Sequence, residues 1–156
     1  MLKISTGAMA ILLMGAAAML SSCSSNTTPT VEVFYKEKEP SLRTLERTKD
    51  VLQEHEKNLN VTYYIITEPE NKELLQKYNF PESHFPFAVV IDGKYTALID
   101  DRLVQFVDFP LFMKGIGKHE GNWSMDDLAG VLANRGMLRD KNVLPESVGV
   151  SGNQPQ

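Results

Sequence analysis

Residues 73–94, with the sequence ELLQKYNFPESHFPFAVVIDGK, decide the fold class, because a helical pattern there passes through two prolines into an apolar β run. We expect the helix to end at Tyr78. The β run continues to Asp92-Gly93, a dipeptide whose backbone accepts the tight turn of a hairpin, and a second β run follows it. A helix that leads into a hairpin indicates an α/β domain.

Upstream of this stretch, two strand patterns enclose a helical pattern. Residues 31–35 (VEVFY) and 61–66 (VTYYII) are β-branched and aromatic, which is typical of strands. Leucines recur on one face between them and a proline suits the first turn, so we predict a helix over residues 40–58. Thr67 and Glu70 fit a capping box, which predicts that the second helix begins there.

Downstream of the hairpin, a segment rich in Phe and Leu is interrupted by Pro and Gly. We expect it to cover the sheet edge and complete the core; an exposed patch that binds a partner is the alternative. Its apolar residues are Phe106, Phe109, Leu111, Phe112 and Met113. A last helix is predicted over residues 125–135, with an acidic first turn and Arg135 near its end. Residues 136–156 are polar and predict a disordered tail.

The N-terminus has the layout of a secretory signal peptide. Lys3 precedes the apolar stretch GAMAILLMGAAAML, which is shorter than the roughly 20 apolar residues that a membrane-spanning helix needs. An uncleaved N-terminal anchor helix is the alternative.

The residues that end this stretch, Leu20-Ser21-Ser22-Cys23, resemble the bacterial lipobox. In that family the thiol receives a diacylglyceryl group, the chain is cut before the cysteine, and the new amine is usually acylated. The resemblance implies a signal peptide over residues 1–22, a cut between Ser22 and Cys23, a lipid on Cys23 and a lipidated tether over residues 23–30. It also implies a location in the bacterial cell envelope, anchored to the inner or outer membrane and facing the periplasm or the exterior.

Charge argues against nucleic acid as the main partner. The chain has 16 Lys and Arg against 20 Asp and Glu, and no run of basic residues follows a phosphate backbone. The three histidines, His55, His84 and His119, are far apart and lack the close pairs of a metal site. We therefore expect no metal and no cofactor.

The β-α-β-α-β-β-α order resembles the thioredoxin fold over residues 31–135. Three stretches carry the likeness: the strand VEVFY before a helix with Pro40 in its first turn, residues 73–94, and the closing helix. The resemblance implies a three-layer α/β/α sandwich around a central mixed sheet. It also implies a cis-proline directly before the hairpin, which is Pro86 after Phe85, whereas Phe80-Pro81 and Phe109-Pro110 are expected to be trans.

The chain departs from that family at the redox motif. Thioredoxins carry Cys-Gly-Pro-Cys at the start of the first helix; Pro40 aligns with that proline, and Lys38 and Ser41 occupy the two cysteine positions. Disulfide exchange needs an attacking thiolate and a second sulfur. The domain is therefore expected to be redox-inactive.

The same resemblance implies a binding surface formed by Lys38, Pro40, Ser41, Phe85 and Pro86. In thioredoxins the main chain before the cis-proline pairs with an extended peptide, and that contact needs no sulfur. We therefore expect a binding or accessory module for an envelope protein or peptide, unless the fold requires Pro86 only for its turn. Two alternatives are a non-thiol enzyme with Ser41 as nucleophile and His84 as base, and a purely structural lipoprotein.

Overall fold

The computed structural model describes residues 28–55, 59–81, 85–111 and 119–145. These residues contain five strands and three α-helices, together with short 3-10 turns at Pro69–Asn71 and Arg135–Met137. In chain order the elements are β1 (Thr30–Tyr35), α1 (Ser41–His55), β2 (Asn60–Ile65), α2 (Lys72–Lys77), β3 (Phe87–Ile91), β4 (Thr96–Ile99), β5 (Arg102–Gln105) and α3 (Met125–Ala133).

The central sheet has the strand order β2-β1-β3 and is mixed. β1 runs parallel to β2, with Thr30 opposite Asn60, and antiparallel to β3, with Val33 opposite Val89. The predicted α/β class and mixed sheet are therefore confirmed.

Helices cover both faces of this sheet, because side chains alternate between the faces along a strand. Val31 and Val33 of β1 share one core cluster with Leu45 of α1 and Leu128 of α3. Phe34 points to the opposite face and belongs to a second cluster with Leu75 of α2 and an aromatic group. Each such buried side chain contributes about 1.5–3 kcal/mol to folding through the hydrophobic effect.

The predicted turn at Asp92-Gly93 is present, but the pairing beyond it is not a regular hairpin. Both residues have positive φ, 50° and 76°, and a single bridge joins Ile91 to Lys94. β4 then diverges and pairs antiparallel with β5 through a second tight turn. The outer edge of β3 instead meets the chain after β5, where the Val89 amide donates to the Phe106 carbonyl at 2.9 Å.

The start of the second helix differs from the prediction. Glu68, not Thr67, is the N-cap of a 3-10 turn that begins at Pro69, and no side chain caps it. α2 begins only at Lys72. The capping box at Thr67 and Glu70 is therefore wrong, because Pro69 fixes its own φ and starts the tighter turn one residue later.

The last helix has the predicted start. Ser124 is its N-cap and forms a capping box with Asp127, and Asp126 adds a second acid to the first turn. The helix ends earlier than predicted, at Ala133. Arg135 therefore lies beyond it and forms an ion pair with Asp92 at 2.8 Å.

Residues 136–145 are ordered against β4, so the prediction of a disordered tail from residue 136 is wrong for this part. Leu138 bridges Ala97, and the Arg139 amide donates to the Thr96 carbonyl at 2.9 Å. The Asn142 side chain accepts from the Tyr95 amide at 2.8 Å and donates to the Gly93 carbonyl at 3.0 Å. These hydrogen bonds attach a polar sequence to the domain without a run of apolar residues.

Several predictions fall outside the described residues. They concern the signal peptide, Ser22, Cys23 and the tether up to residue 27, as well as His84, Phe112 and Met113. Strand β1 includes Thr30, which the sequence had assigned to the tether. In the parts of the chain that the structure covers, no helix has the length and apolar character needed to cross a bilayer.

The Phe-rich segment belongs to the core where the structure describes it. Phe106 and Phe109 are buried, and Leu111 is half-buried. Trp123 is fully buried, with its ring 5.6 Å from that of Phe106. The expectation that this segment completes the core is confirmed for its two described phenylalanines.

Candidate functional site: a cleft at the start of the first helix

The loop between β1 and α1 forms one wall of the candidate site. Its first residues make a tight turn, in which the Lys38 amide donates to the Lys36 carbonyl at 2.8 Å. The Lys38 carbonyl then accepts from the Leu42 amide at 3.2 Å, which joins the loop to the first turn of α1. That turn contains no acidic residue, so the positive end of the helix dipole is not neutralised by a side chain of its own helix.

Ser41 joins this loop to the segment that precedes β3. Its hydroxyl donates to the Pro86 carbonyl at 3.0 Å and accepts from the Lys36 amide at 2.9 Å. The side chain is 1% exposed, so water does not compete for either bond. The structure therefore brings Ser41 and Pro86 together, although they are 45 residues apart in the sequence.

The cis peptide bond within the described residues is Glu39-Pro40, whereas Phe85-Pro86 is trans. The prediction of a cis bond at Pro86 is therefore wrong. It rested on the family resemblance alone, and the intrinsic preference of an X-Pro bond is trans by about 0.5–1 kcal/mol. Phe80-Pro81 and Phe109-Pro110 are trans as expected.

Phe85 belongs to the core and not to a surface. It is 0% exposed, and its ring stacks on Phe80 with centroids 4.5 Å apart. Tyr95 adds a third ring, 5.0 Å from Phe80. Because neither the side chain nor the main chain of Phe85 reaches solvent, the predicted peptide contact at this residue is not available.

The remaining candidates line an open cleft of about 320 Å³. Sequence reasoning placed Lys38, Pro40, Ser41 and Pro86 at this surface, and all four are in its lining. The sequence missed four other lining residues: Lys36, Glu39, Phe109 and His119.

His119 reaches the cleft through a contact that no local pattern indicates. The Phe109 amide donates to the His119 carbonyl at 2.8 Å, and a parallel bridge joins Phe109 to Glu120. Lys36, in contrast, could have been found, because it precedes the turn that contains Lys38.

The two lysines dominate the electrostatics of the cleft. Burial lowers the pKa of the half-buried Lys36, and the positive charge of Lys38 lowers it further. Glu39 lines the same cleft, yet the structure gives neither ammonium group an ion-pair partner among the described residues. The cleft therefore contains two positive charges that repel each other.

The pair of Ser41 and His84 cannot be placed, because His84 lies outside the described residues. Ser41 itself has its hydroxyl proton in the hydrogen bond to Pro86. No group of three or more His, Cys, Asp or Glu side chains that could hold a metal ion occurs in residues 28–55, 59–81, 85–111 and 119–145.

Two larger clefts lie elsewhere on the domain. One, of about 410 Å³, lies beside β2 and is lined by Leu52, Val61 and Tyr63. The other, of about 440 Å³, lies beside Leu103 and Arg139. Neither contains a residue that the sequence singled out, so the smaller cleft beside Ser41 is the candidate site.

No family model, no curated protein and no solved structure matches this chain.

Proposed function

We propose that this protein is a lipid-anchored lipoprotein of the bacterial cell envelope, whose thioredoxin-like domain binds an extended segment of a partner protein and performs no dithiol chemistry. The lipid on Cys23 anchors it to a membrane, and the domain faces the periplasm or the exterior. The partner is an envelope protein or peptide.

The topology supports the thioredoxin-like assignment. The order β1-α1-β2-α2-β3, the parallel β1–β2 pair and the antiparallel β1–β3 pair agree with that fold. β3 and β4 do not form a simple hairpin, because β4 pairs with β5. The chain around Phe106 lies beside β3 in place of β4. The candidate cleft lies at the start of α1, where thioredoxins have their dithiol.

The observation that carries the binding proposal is the hydrogen bonding of Ser41 inside an open cleft. Ser41 occupies a cysteine position of the family, and its hydroxyl joins the β1–α1 loop to Pro86. The hydrogen bonds of the buried Ser41 side chain therefore fix two walls of the cleft relative to each other, and the exposed Lys38 and half-buried Pro40 also line it. A preformed cleft of this kind suits binding, because little ordering entropy is lost when a segment enters it.

The same hydrogen bonds favour binding over an enzymatic role for Ser41. A serine nucleophile must lose its proton to a nearby base. Here the proton lies between Ser41 and a backbone carbonyl, and the side chain is 1% exposed. Deprotonation would also remove the contact that positions the loop.

Crosslinking in the native envelope tests the proposal. A photoreactive amino acid replaces Glu39, which is exposed and lines the cleft, in the full, lipidated chain, and adducts are identified by mass spectrometry. The matched control carries the same group at Asp101, which is exposed in the turn between β4 and β5. We expect a discrete adduct from position 39 only; the same adducts from both positions, or none from position 39, would contradict the proposal.

A further inference from the structure

The unusual feature of the cleft is that two lysines of one short loop, Lys36 and Lys38, both line it. Burial and, after it, the positive charge of Lys38 disfavour the charged form of Lys36. Glu39 is in the lining but pairs with neither lysine among the described residues.

The positive character of the cleft is local, since the chain as a whole is negative. It has 16 Lys and Arg against 20 Asp and Glu, for a formal net charge of −4. The long-range field of the protein therefore does not attract anions. An anion that binds must gain its energy from the cleft itself.

The other surfaces of the cleft suit a peptide better than a free ion. The half-buried Pro40 gives an apolar surface beside the two lysines, whereas Pro86 and Phe109, which also line the cleft, are buried. Apolar side chains that flank a carboxylate can pack on Pro40 while the carboxylate meets the ammonium groups. A carboxylate between two lysines forms charge-assisted hydrogen bonds, which are about twice as strong as neutral ones.

We propose that the cleft selects an acidic extended segment of the partner, with the ammonium groups of Lys36 and Lys38 as the charge partners of its carboxylate. This inference rests on the proposed function and names the chemistry of the segment that the cleft accepts. Apolar residues next to the acidic residue pack on the half-buried Pro40.

Fluorescence anisotropy with two labelled peptides tests the inference on the full chain in a mild detergent. One probe is acetyl-Val-Glu-Val-Glu-Val amide, and the other has Gln in place of both Glu residues. We expect the Glu probe to bind at least about tenfold more tightly at low salt, because a charge-assisted bond replaces a neutral one. The difference should shrink at high salt, which screens exposed charges.

Two double variants identify the lysines responsible. Lys36→Met with Lys38→Met should reduce binding of the Glu probe to the level of the Gln probe. Lys49→Met with Lys141→Met removes the same charge from exposed sites and should leave the preference intact. The single variant Lys38→Met, at an exposed position, should lose most of the preference even if the double variant does not fold.

Each other outcome overturns the inference. Equal binding of the two probes, no binding of either, or a preference that survives in Lys38→Met and in the folded double variant would each refute it. The crosslinking at position 39 reads out the proposed function separately, because it keeps both lysines and needs no acidic partner. A discrete adduct together with equal binding of the two probes would leave the proposed function and reject only the carboxylate.

Discussion

Replacing Ser41 with alanine should destabilise the protein by about 2 kcal/mol, because one hydroxyl serves two backbone groups. It donates to the Pro86 carbonyl at 3.0 Å and accepts from the Lys36 amide at 2.9 Å. The structure gives neither group another hydrogen-bond partner within the described residues. The substitution removes one oxygen and leaves the Cβ in place, so cavity formation adds little.

The magnitude follows from the burial of the two groups that lose their partner. A buried donor or acceptor left without a partner costs about 1–3 kcal/mol. Pro86 is buried, so its carbonyl incurs the full cost of losing its donor. Lys36 is half-buried, so water can replace part of the hydrogen bond that its amide loses. The sum is a free energy of unfolding lower by about 2 kcal/mol.

Urea unfolding of the full chain in a mild detergent measures this loss. The fluorescence of the single tryptophan, Trp123, reports on the core because its ring is fully buried. With a urea dependence of about 1–3 kcal/mol per M for a domain of this size, the midpoint should fall by about 1 M.

Thr44→Val is the matched control for this variant. The Thr44 hydroxyl is also buried and bonds to a proline carbonyl, that of Pro40 at 3.2 Å. The Pro40 carbonyl keeps a second donor, the Thr44 amide at 3.1 Å, so no acceptor is left without a partner. A loss in Ser41→Ala of less than about 0.5 kcal/mol, or one no larger than in Thr44→Val, would refute the reasoning.

Three further predictions concern the core and its titration. Gly121→Ala should lower the free energy of unfolding in urea by about 1–3 kcal/mol, because the added Cβ would overlap a backbone carbonyl. Gly130→Ala should raise it by about 0.5–1 kcal/mol, because α3 has open space at that position. Equal effects of the two variants would contradict this difference in packing. Thr48→Val should raise the free energy of unfolding by about 1 kcal/mol, since the buried Thr48 hydroxyl has no hydrogen-bond partner among the described residues. A lower free energy of unfolding in this variant would refute the prediction. Burial raises the pKa of Tyr95, and burial together with the Glu32 hydrogen bond raises the pKa of Tyr78. The free energy of unfolding should therefore be unchanged below about pH 10, the ordinary tyrosine pKa, and should fall as the pH rises through that value toward the raised pKa of the folded state. Ultraviolet titration should show these two among the five tyrosines ionising only with unfolding, and normal titration of all five would exclude the shift.

The central strands could be predicted from the sequence because their residues are almost continuously β-branched or aromatic. β1 and β2 each lie within one residue of their predicted bounds, and β3 ends at Ile91, directly before the predicted turn at Asp92-Gly93. β5 was missed because RLVQ continues into a Phe-rich segment without punctuation. The turn before it, at Asp100 and Asp101, has positive φ at both residues without a glycine to signal it.

The order of residues 136–145 could not be predicted from composition, because it depends on tertiary hydrogen bonds. Residues 138–143 attach to β4 mainly through backbone groups and the side chains of Asn142 and Thr96. Such bonds depend on which backbone groups lie opposite, and composition does not encode that. Polar sequence therefore suggested disorder where the chain in fact pairs with a strand.

The candidate site was predictable only as far as the resemblance extended. The contact of Ser41 with Pro86 follows from the start of the first helix facing the segment before β3, as in the thioredoxin fold. The role of Phe85 was wrong because the sequence does not reveal which way a residue beside a proline turns. His119 joins the cleft through a pairing with Phe109, which is a tertiary contact between two irregular segments.

The position of the cleft relative to the proposed anchor limits where the partner lies. The segment from Cys23 to Thr30 can span at most about 25 Å. β1 begins at the end of the domain near this segment and the cleft lies beyond its other end, about 20 Å away for six residues in a strand. The cleft would therefore bind the acidic segment at up to about 45 Å from the membrane surface.

A cleft of about 320 Å³ is at the small end of binding pockets, so its intrinsic affinity should be modest. If the partner is held at the same membrane, the effective concentration of the two proteins rises, which lets a modest site hold its partner.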